Sequence, residues 1–283
     1  MEGKSTANYV FNCGEQTIDF ATPQIMGIVN VTPDSFYDGG SYNGLTSSVA
    51  RAIQLHEDGA NIIDIGGQST KPGAASISEQ EELDRIASTI ETLHNYNPKI
   101  LISIDTYYSY VAKNAVALGA SIINDVSAGE MDADMIATAA TLGVPYIAMH
   151  MQGKPATMQV NPAYSDVVKE VHNYLERKIK QCLAAGIKQI AIDPGFGFGK
   201  TLEQNYVLLK NLSTFTSLQY PVLVGLSRKS MLYKALDILP QESLNATTAA
   251  HMIALLHGAN ILRVHDAKEA QQAIEIFKLT NNA

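Results

Sequence analysis

The chain has 283 residues, of which 46% are hydrophobic, and its formal net charge at pH 7 is −8. This length and composition fit one large α/β domain or two small globular domains. The negative charge argues against a general nucleic-acid or anionic-membrane binder, so an anionic substrate would require a local cationic pocket.

The chain contains two cysteines, Cys13 and Cys182, which are far apart and show no metal or redox spacing. The first residues lack the apolar run of a signal peptide, and no segment reaches transmembrane length. We therefore expect reduced thiols, a cytoplasmic location, and no nucleic-acid or membrane partner.

Two short strand-like segments near the N-terminus, Tyr9–Cys13 and Thr17–Phe20, flank a turn that contains Gly14. This pattern predicts a β-hairpin that plugs one end of the domain that follows. A disordered leader is the alternative.

From residue 25 onward, one unit recurs eight times: a nearly continuous apolar strand, a polar loop, a helical segment and usually a terminating glycine. The predicted strands are Ile25–Asn30, Asn61–Ile65, Ile100–Asp105, Ser121–Val126, Val144–His150, Gln189–Asp193, Pro221–Leu226 and Asn260–Val264. The predicted helices are Thr46–Asp58, Ser78–His94, Tyr108–Leu118, Met131–Leu142, Tyr164–Ala185, Leu202–Leu212, Met231–Leu236, Ser243–His257 and Ala267–Leu279.

Eight such units predict a (β/α)8 TIM barrel, formed by a single domain over residues 1–283, with residues 1–24 as leader and hairpin. A doubly wound open sheet is the alternative fold. It would not naturally place a polar residue at the carboxyl end of every strand, as this chain does.

Polar residues stand at or just after the end of each predicted strand. They are Asn30, Asp64, Asp105, Asn124, His150, Asp193, Arg228 with Lys229, and Arg263 with His265. In a parallel barrel these positions converge on one face, where active sites of such barrels lie. Any single member has a structural explanation, such as a helix cap, but all eight together predict a binding site.

The charges at this face fall into two sets. An acidic and amide set suits a ligand rich in N–H donors: Asp64, Asp105, Asn124 and Asp193. A cationic set suits phosphate or carboxylate oxygens: Lys71, Arg228, Lys229, Arg263 and His265. The amide oxygen of Asn30 could bind Mg²⁺ if the anion is a pyrophosphate. The pattern predicts a heterocycle at one end and a polyanion at the other.

The sixth strand ends at Asp193 and Pro194 and runs into a loop with Gly195, Gly197 and Gly199. The glycine spacing matches neither a P-loop nor a Rossmann fingerprint. Asp193 either accepts hydrogen bonds from nearby backbone N–H groups or accepts two parallel hydrogen bonds from a flat 2-amino-4-oxo heterocycle such as a pterin.

Several segments together resemble the bacterial dihydropteroate synthases, in the right order and over nearly the whole chain. They are IMGIVNVTPDSFYDGG, NIIDIGGQSTKPGA, ISIDT, IINDVSAG, MHMQGKPATMQ, IDPGFGFGKT, VGLSRKSML and RVHD. The resemblance implies a pterin-binding TIM barrel that joins a dihydropterin pyrophosphate to 4-aminobenzoate and releases pyrophosphate. It also implies Mg²⁺ and a homodimer.

Residue roles follow from the same resemblance. The pterin would be held by Asp105, Asn124, Asp193 and Lys229, and Mg²⁺ by Asn30. The pyrophosphate would contact Thr70, Arg263 and His265, and the aminobenzoate site would be shaped by Phe36, Asp38, Pro72 and Ser230, with Phe198 packing nearby. Asp64 and Val264 are further expected substrate-binding residues. Asp38, Lys71, Asp105 and Lys229 would act in catalysis, with Lys71, Arg263 and His265 stabilising the leaving pyrophosphate.

The chain departs from the family pattern GGESTRPG at two positions, where Gln68 replaces Glu and Lys71 replaces Arg. Lysine keeps the charge but loses the bidentate fork, so we expect a weaker grip on the anion. A pterin-binding methyltransferase and a catalytically inactive pterin-binding paralogue are the alternative functions.

Overall fold

The computed structural model describes residues 9–32, 41–69, 76–154, 157–160 and 162–281. Within these ranges the strands are β1 (Val10–Cys13), β2 (Gln16–Asp19), β3 (Gln24–Asn30), β4 (Ile62–Gly66), β5 (Leu101–Asp105), β6 (Ile122–Asp125), β7 (Tyr146–Met149), β8 (Ile190–Asp193), β9 (Leu223–Val224) and β10 (Ile261–Val264).

The α-helices in the same ranges are α1 (Ser41–Glu57), α2 (Glu79–Tyr96), α3 (Ser109–Ala117), α4 (Met135–Leu142), α5 (Val167–Ala185), α6 (Leu202–Lys210), α7 (Ser230–Tyr233), α8 (Leu244–Leu256) and α9 (Ala267–Asn281). Short 3₁₀ helices occupy Leu212–Leu218 and Pro240–Glu242. Over the described residues, no helix is both long enough and apolar enough to cross a membrane.

Strands β3–β10 form one parallel sheet in the order β8-β7-β6-β5-β4-β3-β10-β9. A parallel bridge between Ile192 and Val222 brings the two edge strands together, and the Ile192 N–H donates to the Pro221 carbonyl at 2.9 Å. The sheet therefore closes into the predicted TIM barrel. The open doubly wound alternative is wrong.

Helix boundaries follow local capping chemistry. The Ser78 side chain accepts a hydrogen bond from Glu81 N and caps the start of α2, while the Glu81 carboxylate pairs with Arg85 at 2.6 Å. Gly186 ends α5 in the left-handed conformation, with φ of 100°. Asp166, which the sequence prediction missed, caps the same helix by accepting from Val168 N and Lys169 N.

The predicted N-terminal hairpin is confirmed as β1 paired antiparallel with β2. Its buried side chains pack against one inward-facing apolar residue from the start of each barrel strand. This cluster, which we call the plug cluster, consists of Phe11, Cys13, Ile18, Phe20, Met26, Ile62, Leu101, Ile122, Ile147, Ala191, Leu223 and Ile261. The hairpin thus covers the amino end of the barrel and leaves the carboxyl end for a site.

Candidate active site

The polar residues of the barrel interior are placed by the two-residue period of the strands. Asp64 follows Ile62 of the plug cluster by two positions, and Arg263 follows Ile261 in the same way. Side chains two residues apart in a strand point to the same side. A polar layer therefore lies inside the barrel directly above the apolar plug, towards the carboxyl ends of the strands.

A cavity opens at this end of the barrel. Its lining combines carboxylates, an amide and two cations with apolar and aromatic side chains: Asp105, Asn124, Val126, Met149, Asp193, Phe196, Phe198, Gly225, Lys229 and Arg263. These residues come from six of the barrel strands or from the loops that follow them. Convergent polar groups on a partly aromatic wall suit a flat heterocycle with several hydrogen-bonding edges.

Arg263 joins two carboxylates at the floor of the cavity. Its Nε donates to Asp64 Oδ2 at 2.6 Å, and one of its terminal nitrogens donates to Asp105 Oδ2 at 2.6 Å. Asn124 Nδ2 also donates to Asp64 Oδ2 at 3.1 Å. Burial lowers the pKa of Arg263, but Asp64 and Asp105 outweigh that effect and raise it above its usual range, so the guanidinium stays charged.

Each carboxylate beside Arg263 keeps one buried oxygen without a hydrogen bond. Among the described residues, Asp64 Oδ1, Asp105 Oδ1 and Ser103 Oγ are buried and have no partner. An unpaired buried acceptor is costly unless a ligand satisfies it. Burial raises the pKa of Asp105, and the neighbouring Arg263 guanidinium opposes that rise and favours the carboxylate. Asp105 is thus ready to bind an N–H-rich ligand.

Asp193 and Lys229 form the opposite wall with the glycine-rich loop. Asp193 Oδ1 accepts a hydrogen bond from Gly195 N at 2.7 Å, which is the contact with a nearby backbone N–H that the sequence left open as one of two roles. Asp193 also lines the cavity. Lys229 Nζ donates to the Phe196 carbonyl at 2.7 Å and lies 4.2 Å from the centre of the Phe198 ring. Burial lowers the pKa of Lys229 to about 8, against the raising effect of Asp193.

A family model described as pterin binding enzyme matches residues 26–265. The dihydropteroate synthase of Escherichia coli K12 is 44% identical over 270 residues, which cover 94% of this chain and 95% of that protein. The chain belongs to the dihydropteroate synthase family of pterin binding enzymes.

Solved structures of this family share the fold over nearly the full length of the chain. The Xanthomonas albilineans dihydropteroate synthase with 4-aminobenzoic acid is 39% identical, has a TM-score of 0.92, and covers 98% of this chain and 99% of its own. The same enzyme in complex with 7,8-dihydropteroate has a TM-score of 0.88, at 37% identity, and covers 97% and 99%.

The expected separation into an acidic and a cationic set is wrong for Arg263, which lies between Asp64 and Asp105. Opposite charges placed this close neutralise each other in a buried layer, and a separated arrangement would leave each carboxylate unpaired. Asp193 and Arg263 nevertheless line the same cavity, as the predicted convergence of strand ends requires.

Arg228 and His265 do not supply the cationic groups that the sequence suggested. The Nε–Nη2 edge of the Arg228 guanidinium pairs with Asp266, with Nε at 2.9 Å from Oδ2 and Nη2 at 2.6 Å from Oδ1. The Nδ1 atom of His265 lies 3.1 Å from Ser227 Oγ. Burial, with Arg263 nearby, lowers the pKa of His265 to about 4, so the ring is neutral at pH 7.

Three further predicted positions have distinct surroundings. His150 does not line the cavity; it is buried beneath the glycine-rich loop, where Lys200 Nζ lies 3.0 Å from its Nδ1. Val264 has its side chain in the core between barrel and helices, which leaves only its backbone for a substrate. Ser230 is the first residue of α7, directly after Lys229.

Five predicted site residues lie outside the described residues: Phe36, Asp38, Thr70, Lys71 and Pro72. Asn30 is described, as the exposed last residue of β3, paired in register with Gly66. The described ranges contain no cluster of three His, Cys, Asp or Glu residues that could hold a metal. The Asn30 amide would supply one oxygen ligand, which suits Mg²⁺ because this ion commonly takes most of its other ligands from water and substrate phosphates.

The Gln68 departure from the family pattern has a structural explanation. Its Oε1 accepts from Ile77 N at 3.1 Å, its Nε2 donates to the Tyr107 hydroxyl, and the Tyr108 hydroxyl donates to the Ile77 carbonyl at 2.8 Å. The Gln68 side chain therefore links the loop after β4 to Ile77 near the start of α2, so it connects the two sides of segment 70–75. No sequence signal indicated this contact, because it depends on side chains from separate elements.

Proposed function

We propose that the protein transfers the dihydropterin-6-ylmethyl group of 6-hydroxymethyl-7,8-dihydropterin pyrophosphate to the amine of 4-aminobenzoate. The carbon–oxygen bond to pyrophosphate breaks, a carbon–nitrogen bond forms, and the amine loses a proton, which gives 7,8-dihydropteroate and pyrophosphate. The main support is the polar cavity around Asp105 in a chain that belongs to the dihydropteroate synthases.

In this proposal the pterin occupies the cavity between Asp105, Asn124, Asp193 and Lys229. The unpartnered Oδ1 of Asp105 would accept from the ring N–H groups, and Lys229 would donate to a ring oxygen or nitrogen. Phe196 and Phe198 line the cavity and would exclude water from a face of the ring. The electron-rich dihydropterin can then carry the positive charge that develops as pyrophosphate leaves.

The charge on the leaving pyrophosphate would need cations besides Arg263. Arg263 stays charged but already pairs with Asp64 and Asp105, and a neutral His265 would contribute a hydrogen bond rather than a charge. Lys71 is proposed for the same anion from the family resemblance. Mg²⁺, held by Asn30 and the phosphates, would supply Lewis-acid neutralisation of the pyrophosphate when bound.

Pyrophosphate release that depends on 4-aminobenzoate tests the proposal directly. A pterin-binding methyltransferase would not release pyrophosphate, and an inactive paralogue would bind the pterin without turnover. Either result from the wild-type protein would overturn the proposed reaction.

We expect Asp105→Asn to lose at least about 100-fold in kcat/KM, because one carboxylate oxygen pairs with Arg263 and the other faces the ligand. Asp84→Asn is the matched control, since Asp84 is exposed on α2 and accepts from the Gln80 amide at 2.8 Å. Circular dichroism should show both variants folded. Wild-type-like turnover in Asp105→Asn would contradict the assignment of this carboxylate.

We also propose that the protein acts as a cytoplasmic homodimer. Helix α8 presents Ile253 and Leu256, which are 43% and 56% exposed, and it contacts both α6 and α7. Burial of such side chains against a second copy would favour association. Light scattering should give a dimer for the wild type and a monomer for Ile253→Lys with Leu256→Lys. Dissociation by Ile276→Lys with Leu279→Lys on α9 instead would place the interface elsewhere.

A further inference from the structure

Lys200 is a buried cation that makes no ion pair with a carboxylate in the part of the chain that the structure describes. Its side chain belongs to a residue that is 2% exposed, and its Nζ donates to the Gly195 carbonyl at 2.8 Å and the Phe198 carbonyl at 3.0 Å. The third neighbour is His150, whose Nδ1 lies at 3.0 Å and whose carbonyl lies at 3.4 Å. Three ammonium hydrogens thus have three acceptor directions.

This arrangement is expensive and therefore calls for an explanation. Burying an ammonium group without an adjacent opposite charge is unfavourable, and an apolar side chain would avoid that cost. Burial lowers the pKa of Lys200 to about 7, with Asp193 raising it and Lys229 lowering it further. Burial, together with Lys200, also lowers the pKa of His150 to about 2, so the ring is neutral and Nδ1 can accept.

The acceptors of Lys200 belong to the two segments that form one wall of the pterin cavity. Gly195 and Gly199 have φ of 71° and 64°, and a Cβ atom at either residue would collide with the carbonyl oxygen of His150 or Gln152. The glycine-rich loop therefore lies directly on the backbone after β7. Lys200 joins the same two segments from beneath.

On the side that faces the cavity, the glycine-rich loop makes the contacts that orient Asp193 and Lys229. The Phe196 carbonyl accepts from Lys229 Nζ at 2.7 Å, and the Phe198 ring faces the same ammonium group at 4.2 Å. The Gly195 N–H donates to Asp193 at 2.7 Å. One loop thus sets the positions of Asp193 and Lys229, and the lower side of that loop is held by Lys200.

We infer that Lys200 is a positioning residue for pterin binding, which fixes the loop 194–199 so that Asp193, Phe198 and Lys229 face the ring in register. The inference rests on the proposed function, because it concerns a further residue of the same cavity. Lys200 acts through the loop and does not line the cavity itself.

Replacement of Lys200 by methionine keeps the length of the side chain and removes the three hydrogen bonds. We expect Lys200→Met to raise the Kd for 6-hydroxymethyl-7,8-dihydropterin at least about tenfold, with a similar rise in KM for its pyrophosphate ester and a smaller fall in kcat. Lys178→Met is the matched control. Lys178 lies on the outer helix α5 and is also buried, at 3% exposure, but its ammonium group pairs with the Glu130 carboxylate at 2.6 Å.

Both variants are compared at the same interval below their melting temperatures, so that general loss of stability affects them equally. A Kd for Lys200→Met within twofold of the wild type, or an equal rise in Lys178→Met, would overturn the inference. If Lys200→Met does not fold, Asn205→Leu decides, because Asn205 Oδ1 holds the same loop by accepting from Gly197 N at 2.7 Å. An unchanged pterin Kd in that variant would overturn the inference.

The two proposals can fail separately. Titration with the pterin alone measures the effect of Lys200 without any turnover. A wild type that binds the pterin but releases no pyrophosphate would overturn the proposed reaction, while a tenfold weaker Kd in Lys200→Met would still support the positioning role.

Discussion

Lys200 changes its protonation between the native and the unfolded protein. Its pKa is about 7 in the folded state, because of burial, while an unperturbed lysine has a pKa of about 10.4. Between these values the unfolded chain binds one proton more than the native protein. The free energy of unfolding therefore rises with pH across this window, at up to about 1.4 kcal/mol per pH unit.

From pH 7 to pH 9 we expect the free energy of unfolding of the wild type to rise by about 2 kcal/mol relative to that of Lys200→Met. The variant has no proton to lose at this site, and the other ionisable groups that face it, His150, Asp193 and Lys229, are common to both proteins. Urea unfolding at several pH values measures the difference. A difference independent of pH would contradict the lowered pKa.

At the residue scale, the sequence predicted the convergence of several polar side chains, but it wrongly included His150 and did not predict how the side chains pair. Asp105, Asn124, Asp193, Lys229 and Arg263 were expected at one face, and they line one cavity. The pairing of Arg263 with two carboxylates depends on distances across three strands. Chain order contains no signal for such distances, so a separate cationic set was the simpler but wrong expectation.

The contact between Gln68 and Ile77 belongs to the element scale, because it joins the loop after β4 to the start of α2. Gln68→Leu removes one donor and one acceptor and leaves Ile77 N and the Tyr107 hydroxyl without these partners. We expect a loss of about 1–3 kcal/mol in the free energy of unfolding. The KM for 4-aminobenzoate should also rise, because the family resemblance assigns Pro72, between the tied ends, to that substrate.

Two comparisons make the Gln68 prediction specific. Gln80→Leu, on the exposed face of α2, should cost less than about 0.5 kcal/mol. Gln68→Glu restores the residue of the family pattern and keeps an acceptor for Ile77 N, while the Tyr107 hydroxyl can turn to donate. It should stay within about 1 kcal/mol of the wild type. Equal stability of Gln68→Leu and Gln80→Leu, measured by thermal unfolding, would show that the contact has no role.

The presence of the strands and helices was predictable from the sequence, whereas the residues at which they begin and end were less predictable. Each predicted barrel strand is present, since strands buried on both faces stand out as apolar runs between polar loops. The seventh of them contracts to Leu223–Val224, and the predicted helix Leu202–Leu212 ends at Lys210 before a 3₁₀ turn. Helix α4 starts at Met135 rather than Met131, because residues before it form turns around Asp132, which accepts from Ser109 N and Asp134 N.

At the scale of the whole molecule, the apolar packing that stabilises the barrel and the polar groups of the candidate site lie at different ends of the barrel. The plug cluster occupies the amino end with apolar side chains only, and the polar layer with Asp64 and Arg263 lies on its other side. In TIM barrels the catalytic groups come from the carboxyl ends of strands, and the opposite face serves stability. The N-terminal hairpin should therefore affect folding much more than substrate binding.

Phe11 in the hairpin offers a direct test of this separation. It is 2% exposed and packs edge-to-face on Phe20 at 4.8 Å, while its neighbour Val10 on the same strand is 41% exposed. We expect Phe11→Ala to lower the free energy of unfolding by about 3–5 kcal/mol, because a large cavity forms against the barrel end, whereas Val10→Ala should cost less than about 0.5 kcal/mol. In both variants KM for each substrate should stay within twofold of the wild type at 20 °C. Urea unfolding and steady-state kinetics on the same preparations measure both effects, and a folded Phe11→Ala protein with a strongly raised KM would show that the two ends of the barrel are coupled.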